Sequence, residues 1–197
     1  MKPMTTIWLR VRLRAFELSG DRSGLAAVEF AMIVPLMLVL FFGVNEFSSG
    51  VAVDRKVTLM ARTLSDLTSQ NATVTDTQLT NFFNASKAIM TPYDSTPVKS
   101  TLTELYVDPN TLQAKVQWSK GDAPRTTGTT VAIPTALQIG DTYLIYSEVN
   151  YKYVPTVGYV MAKTGITLSD FTYTRPRYSK CVDYPPPVTP SAACTPK

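Results

Sequence analysis

The sequence predicts an α+β protein: a long N-terminal transmembrane helix extending into a globular domain with a short second helix and an antiparallel sheet of about four to five strands. Three observations predict it. Residues 25–44 form a run of twenty with a single charge, Glu29. Past that run, Val53, Val57, Met60, Leu64 and Leu67 recur in alternating steps of four and three. Farther along, stretches rich in β-branched and aromatic residues alternate apolar with polar side chains.

The apolar run has the length an α-helix needs to cross a hydrocarbon core of about 30 Å. In that solvent only a helix satisfies every backbone N–H and C=O. A carboxylate there costs about 2.5–3.5 kcal/mol on insertion scales, so Glu29 needs a reason. One reason is a charged partner; the other is a position at the headgroup boundary, since Glu29 lies near the start of the run. Pro35 removes one helical hydrogen bond and predicts a bend. A secretory signal has a shorter apolar region, roughly 7–15 residues, followed by a small-residue cleavage site. Here the weak candidate, Ser48-Ser-Gly50, comes only after Asn45 and Glu46. The run therefore reads as a retained anchor.

Charge gives its orientation. Residues 1–24 hold five of the 19 Lys and Arg residues and two of the 15 Asp and Glu residues, leaving the remainder at +1. A basic excess confined to one side of a span places that side in the cytoplasm and the C-terminal bulk across the membrane. The same confinement argues against nucleic-acid binding. The chain contains no histidine, which removes the commonest general base and metal ligand. Its two cysteines, Cys181 and Cys194, fall on the translocated, oxidising side and predict a disulfide. Their spacing is not C-x-x-C and no further ligand cluster accompanies them, so a redox or zinc pair is disfavoured and no metal is expected.

Five segments follow: a basic cytoplasmic leader (1–24), a transmembrane helix (25–44), its continuation beyond the membrane (45–70), an α+β globular domain (71–180) and a Pro-rich tail with the cysteine loop (181–197). In the leader, Trp8, Val11, Leu13 and Phe16 share one helical side. The helix continues to about Gln70, with a weak point expected at Ser48, Ser49 and Gly50. A second helix is expected from Asp76 as N-cap, with Leu79, Phe82, Phe83 and Ile89 on one face, ending before Pro92. Strands are expected at 103–107 and 111–118 around Asp108-Pro-Asn110, at 131–133, at 142–153 and at 166–173, with a helical turn at 155–163. In 111–118, Leu112, Ala114, Val116 and Trp118 read as one buried face. In 142–153, Tyr143, Ile145, Val149, Tyr151 and Tyr153 face one way and Glu148, Asn150 and Lys152 the other.

Nucleotide loops, zinc signatures and nucleophile elbows are absent from the sequence. No cofactor and no catalytic residue is expected. Tyrosines at strand spacing read first as packing, second as a binding surface.

The remaining constellation is Gly24-Leu25-Ala-Ala-Val-Glu29-Phe30: a basic leader ending at glycine, then an apolar helix carrying an acidic-aromatic pair. It resembles the cleavage region of type IV prepilins, and more closely the Tad (tight adherence) branch of Flp pilins and TadE/TadF pseudopilins. Ser147-Glu-Val-Asn-Tyr-Lys-Tyr-Val-Pro155 and Arg175-Pro-Arg-Tyr-Ser179 resemble the strand and basic terminal motif of TadE-like domains. The resemblance implies a pilin-like fold and a non-enzymatic, single-pass protein of the bacterial inner membrane with a periplasmic domain. It implies a prepilin peptidase cutting between Gly24 and Leu25, and Glu29 with Phe30 meeting a neighbouring subunit, the carboxylate facing that subunit's N-terminal amine. The implied partners are membrane lipid, the peptidase, other pilin or pseudopilin subunits and the Tad inner-membrane platform. It leaves open whether the protein enters the fibre or stays at its base. The alternative is a membrane-tethered periplasmic binding module unrelated to pili.

Overall fold

A computed structural model describes residues 23–155, 165–186 and Cys194. Residues 1–22 of the leader, the turn expected at 155–163 beyond Pro155, and the tail past Pro186 other than Cys194 lie outside the described residues. The chain divides into two compact units, Met1–Asn45 and Glu46–Lys197.

One helix, α1, spans Ser23–Ser69 and keeps Pro35 inside it. It runs on without a break through Ser48, Ser49 and Gly50, the expected weak point, to end next to the expected Gln70. A helical glycine costs only about 1 kcal/mol, and the turns just beyond are held by burial. Val53, Val57, Met60, Ala61 and Leu64 are each 0% exposed. Their spacing puts them on one stripe of the helix, which lies on the sheet.

The second helix, α2, is Asp76–Ala88, and its cap is Thr75 rather than Asp76. Thr75 Oγ1 accepts from the Gln78 amide, and Gln78 Oε1 accepts from the Thr75 amide (2.9 Å), a reciprocal capping box. Asp76 then falls in the first turn, where the helix dipole favours a carboxylate.

The sheet has five antiparallel strands: β1 (Val98–Val107), β2 (Ala114–Gly121), β3 (Thr130–Val131), β4 (Thr142–Tyr153) and β5 (Ile166–Thr174), in the order β3-β2-β1-β4-β5. A 3-10 turn, Thr135–Leu137, precedes β4. One sheet face packs on α1 and α2 through Val98, Leu102, Ile145, Val149 and Tyr151. The other face gathers Leu105, Val107, Ala114, Val116, Leu144 and Tyr146 beneath Ile133.

β2 departs from its alternation. The register with β1 slips between Glu104 and Leu105, so that Glu104 pairs with Trp118 but Leu105 with Val116. Gln117 is the extra residue of a β-bulge. Because a one-residue shift flips every side chain to the opposite face, Val116 joins the outer cluster and Trp118 joins the helix-side cluster. Leu112 is not in the strand at all: it sits in the connecting loop with φ 56°, 43% exposed. β2 ends at Gly121, where φ is 131° and a Cβ would stand 2.2 Å from the Ser100 carbonyl oxygen, so only glycine fits.

After β5 the chain becomes a strap across the helix side. The Arg177 amide donates to the Ser69 carbonyl at the end of α1 (2.9 Å), and the Arg177 guanidinium pairs with Asp66. Asp183 exchanges main-chain hydrogen bonds with Ala72 and Val74. Between these points Val182 is gripped from both sides: its amide donates to Glu104 Oε1 (2.6 Å), and its carbonyl accepts from Trp118 Nε1 (2.7 Å).

Candidate assembly helix

The first unit's described residues carry one charged side chain, Glu29. Gly24 opens the first turn of α1, and a Cβ built there would meet nothing within 4 Å. Leu25 is 63% and Phe30 69% exposed, and the side chains of the run from Val28 to Val44 are likewise turned outward. Burial does not account for so large an apolar surface; a lipid solvent does. Among the described residues one helix is long and apolar enough to cross a membrane, from Gly24 onward, and none of its apolar window is buried. Single-pass membrane anchoring through this helix follows.

Within that helix Leu25 and Glu29 are four residues apart and share a side. Phe30 is turned roughly 100° further round. The Gly24 carbonyl is engaged by the helical ladder, so the Gly24–Leu25 bond lies in ordered helix rather than in an extended loop.

The second unit carries the other chemistry-bearing groups. Cys181 and Cys194 are joined by a disulfide. Asp183 approaches both sulfurs, but sulfurs bonded to each other are not thiolate ligands. Asp183 instead accepts from the Cys194 amide (3.0 Å), and Tyr143 donates to the Cys194 carbonyl (2.9 Å), so the disulfide loop is tied to the sheet.

The tyrosines of β4 are packing groups: Tyr143, Tyr146, Tyr151 and Tyr153 are all at most 7% exposed. Burial pushes the Tyr143 and Tyr146 hydroxyls far above the usual phenol range. On the outer face Arg125 makes a bidentate pair with Glu148 (2.6 and 3.2 Å) and stands over the Tyr146 ring. Tyr146 stacks on Tyr173 at 4.5 Å. Nothing local in the sequence announces this group, because Arg125 and Glu148 are 23 residues apart and meet only through the sheet.

On the strap, the Tyr184 hydroxyl and then Lys120 hold the Asp76 carboxyl below its usual range. Lys180 does the same for Asp141. The basic motif at 175–179 thus closes the end of α1, with Tyr178 left 79% exposed.

A family model described as TadE-like protein matches residues 24–64. That match covers α1 from Gly24 to the buried Leu64 and leaves the strands outside it. No curated protein and no solved structure matches the chain. Residues 24–64, the apolar run together with the helical stripe that docks on the sheet, are thus similar to TadE-like protein, the family that the Gly24–Phe30 motif resembles.

Proposed function

We propose that this chain is a non-enzymatic pseudopilin- or minor-pilin-like component of Tad pilus assembly. The coarse part of this reading, a Tad pilus-associated component, is what a TadE-like match implies. The finer part is that residues 25–44 hold the protein in the inner membrane, leader in the cytoplasm and domain in the periplasm. A prepilin peptidase would cut between Gly24 and Leu25.

The observation that carries the reading is that the family match begins at Gly24 itself, the last residue of the basic leader. Glycine at that place has two uses. It offers the peptidase a site without side-chain bulk, and it weakens the first helical turn by about 1 kcal/mol relative to alanine, so the bond can be drawn into an extended shape. After the cut, Leu25 supplies a new amine, and Glu29 lies where a helix N-terminus favours an anion. In lipid, two buried charges that would otherwise each stand alone gain by pairing. An amine of one subunit facing Glu29 of the next would set axial register, with Phe30 packing beside it. Membrane lipid, the peptidase, other pilin-like subunits and the inner-membrane platform are the partners this assigns.

N-terminal sequencing of the protein purified from its native membranes tests the reading. The expected start is Leu25, lost on Gly24→Arg, with Glu29→Ala abolishing piliation. A native protein that keeps its leader, together with normal piliation by Glu29→Ala, overturns it in favour of a periplasmic module on a plain tether.

A further inference from the structure

Within the second unit a cavity of about 410 Å³ lies between the later turns of α1, the end of β5 and the strap. α1 brings Arg62, Thr63 and Asp66 to it, β5 brings Thr172 and Thr174, and the strap brings Arg177. These residues and their neighbours in the chain all belong to the described residues. The volume falls in the range of small-molecule sites, roughly 300–1,000 Å³.

Its two arginines differ. Arg177 is fixed: its guanidinium pairs with Asp66, and its amide donates to the Ser69 carbonyl. The other Asp66 oxygen accepts from the Gln70 side chain (2.7 Å), so this carboxylate is already engaged on both sides. Arg62, one turn before Asp66 on α1, makes no ion pair or side-chain hydrogen bond among the described residues. The hydroxyls of Thr63, Thr172 and Thr174 likewise make none there. An unused guanidinium and three unused hydroxyls thus face one cavity.

Charge and donor geometry select the ligand. Two guanidiniums and one carboxylate leave the cavity with a single positive charge, which one carboxylate balances. A phosphate monoester would bring a charge of about −1.5 to −2. It would also stand close to Asp66 and to the negative end of α1 at Ser69. The guanidinium fork matches a carboxylate through two parallel N–H···O bonds. A threonine hydroxyl both donates and accepts, as a sugar hydroxyl does, so three of them suit a polyhydroxylated ring. Leu67 supplies an apolar wall for the C–H face of such a ring. An acidic side chain from a protein would satisfy Arg62 and leave the threonines to water.

We propose that this cavity binds a carboxylated sugar of the uronic-acid type. Its carboxylate pairs with Arg62, its hydroxyls meet Thr63, Thr172 and Thr174, and Arg177, set in place by Asp66, is the second fixed donor. The basic motif at 175–179 then has a use beyond closing the end of α1. Such a ring occurs both as a free sugar acid and as a unit of acidic polysaccharides, with the same chemistry at Arg62. The site lies wholly in the second unit and its test reads binding without piliation, so it stands or falls separately from the pilus reading.

The test uses the full chain in nanodiscs of neutral phospholipid, with empty nanodiscs as the blank, and titrates sodium glucuronate by saturation-transfer NMR. For a solvent-facing site and so small a ligand, a dissociation constant of about 1 mM is expected. Glucose, which lacks the carboxylate, should bind roughly tenfold or more weakly. Arg62→Gln should bring glucuronate down to the level of glucose. The unfolding midpoint should stay unchanged, because Arg62 is exposed. Thr172→Val with Thr174→Val should weaken both sugars. An oligogalacturonate assigns the source: tighter Arg62-dependent binding than the monomer means a polysaccharide, and equal binding means a free sugar acid. Absence of saturable glucuronate binding overturns the proposal, as does binding that survives Arg62→Gln. Inorganic phosphate or a Glu-rich peptide that binds as tightly as glucuronate overturns it too, since the cavity is then a general anion site or a protein contact.

Discussion

Ser147 on β4 donates a hydrogen bond to the carbonyl of Ala61 on α1 at 2.6 Å, and both residues are wholly buried. Four residues on along α1, Ser65 returns the favour to the sheet, donating to the Ile145 carbonyl at 3.3 Å. Helix and sheet therefore meet through small side chains, with Val57 and Leu64 packing on either side. Close approach is what this face selects for.

Ser147→Ala removes that donor but leaves the Ala61 carbonyl its helical partner. The expected loss is about 1 kcal/mol. Ser147→Val adds volume where the helix is nearest and should cost about 1–3 kcal/mol. Unfolding of the full chain in detergent, followed by near-ultraviolet circular dichroism, separates the two. Equal effects would mean the seam is loosely packed.

Glu104→Ala leaves the buried Val182 amide without its acceptor. Loss of a hydrogen bond to a charged group predicts about 1.5–3 kcal/mol, concentrated on the strap. Amide exchange at Val182 should accelerate far more than exchange in β1. Trp118→Phe removes the other grip, from Nε1 to the Val182 carbonyl, and should give the milder form of the same local loosening.

Joint replacement of Cys181 and Cys194 by alanine opens a loop of 13-residue separation. The chain-entropy model assigns such a closure about 3 kcal/mol. The unfolding midpoint should fall accordingly. Treatment of the native protein with reductant should reproduce the effect, and an unchanged midpoint would count against the loop as a staple.

Acid should release the strap before the core. Tyr184 and Lys120 depress Asp76, and Lys180 depresses Asp141, both from an ordinary value of 3.8. A carboxyl depressed in the folded state contributes stability that is fully present above its unfolded value and lost as pH falls through the folded one. Strap contacts should therefore hold at pH above 3.8 and weaken progressively below it. Trp118 fluorescence, reporting on its neighbour Tyr184, follows the change. Asp76→Asn should flatten it, and a transition well above 3.8 in the wild type would refute the assignment.

Legibility differed between kinds of contact. The stripe Val53, Val57, Met60 and Leu64 was readable because helical period and burial are both local in the chain. β4 was readable over Thr142–Tyr153 because it is rich in aromatic and β-branched residues and alternates cleanly from Glu148 to Tyr153, although Tyr143–Tyr146 bury both faces. β2 was not, because a bulge at Gln117 is fixed by pairing with β1, and the pattern Val116-Gln-Trp118 looks the same with or without it. Cap choice failed for a smaller reason: Thr75 and Asp76 are both good caps, and only the Gln78 side chain returning to the Thr75 amide decides between them.

By itself the sequence determined the membrane helix, its single carboxylate at Glu29, the five-residue interval from Gly24, and the TadE-like character of that segment. These rest on length, period and solvent, which act along a chain and need no partner element. Tertiary structure alone decided which face Trp118 occupies, that Glu104 and Trp118 clamp Val182, that Arg125 meets Glu148, and that β5 stands at the end of the strand order. Each is a meeting of residues from separate elements, set by strand order and register, and neither is written in any local window of residues.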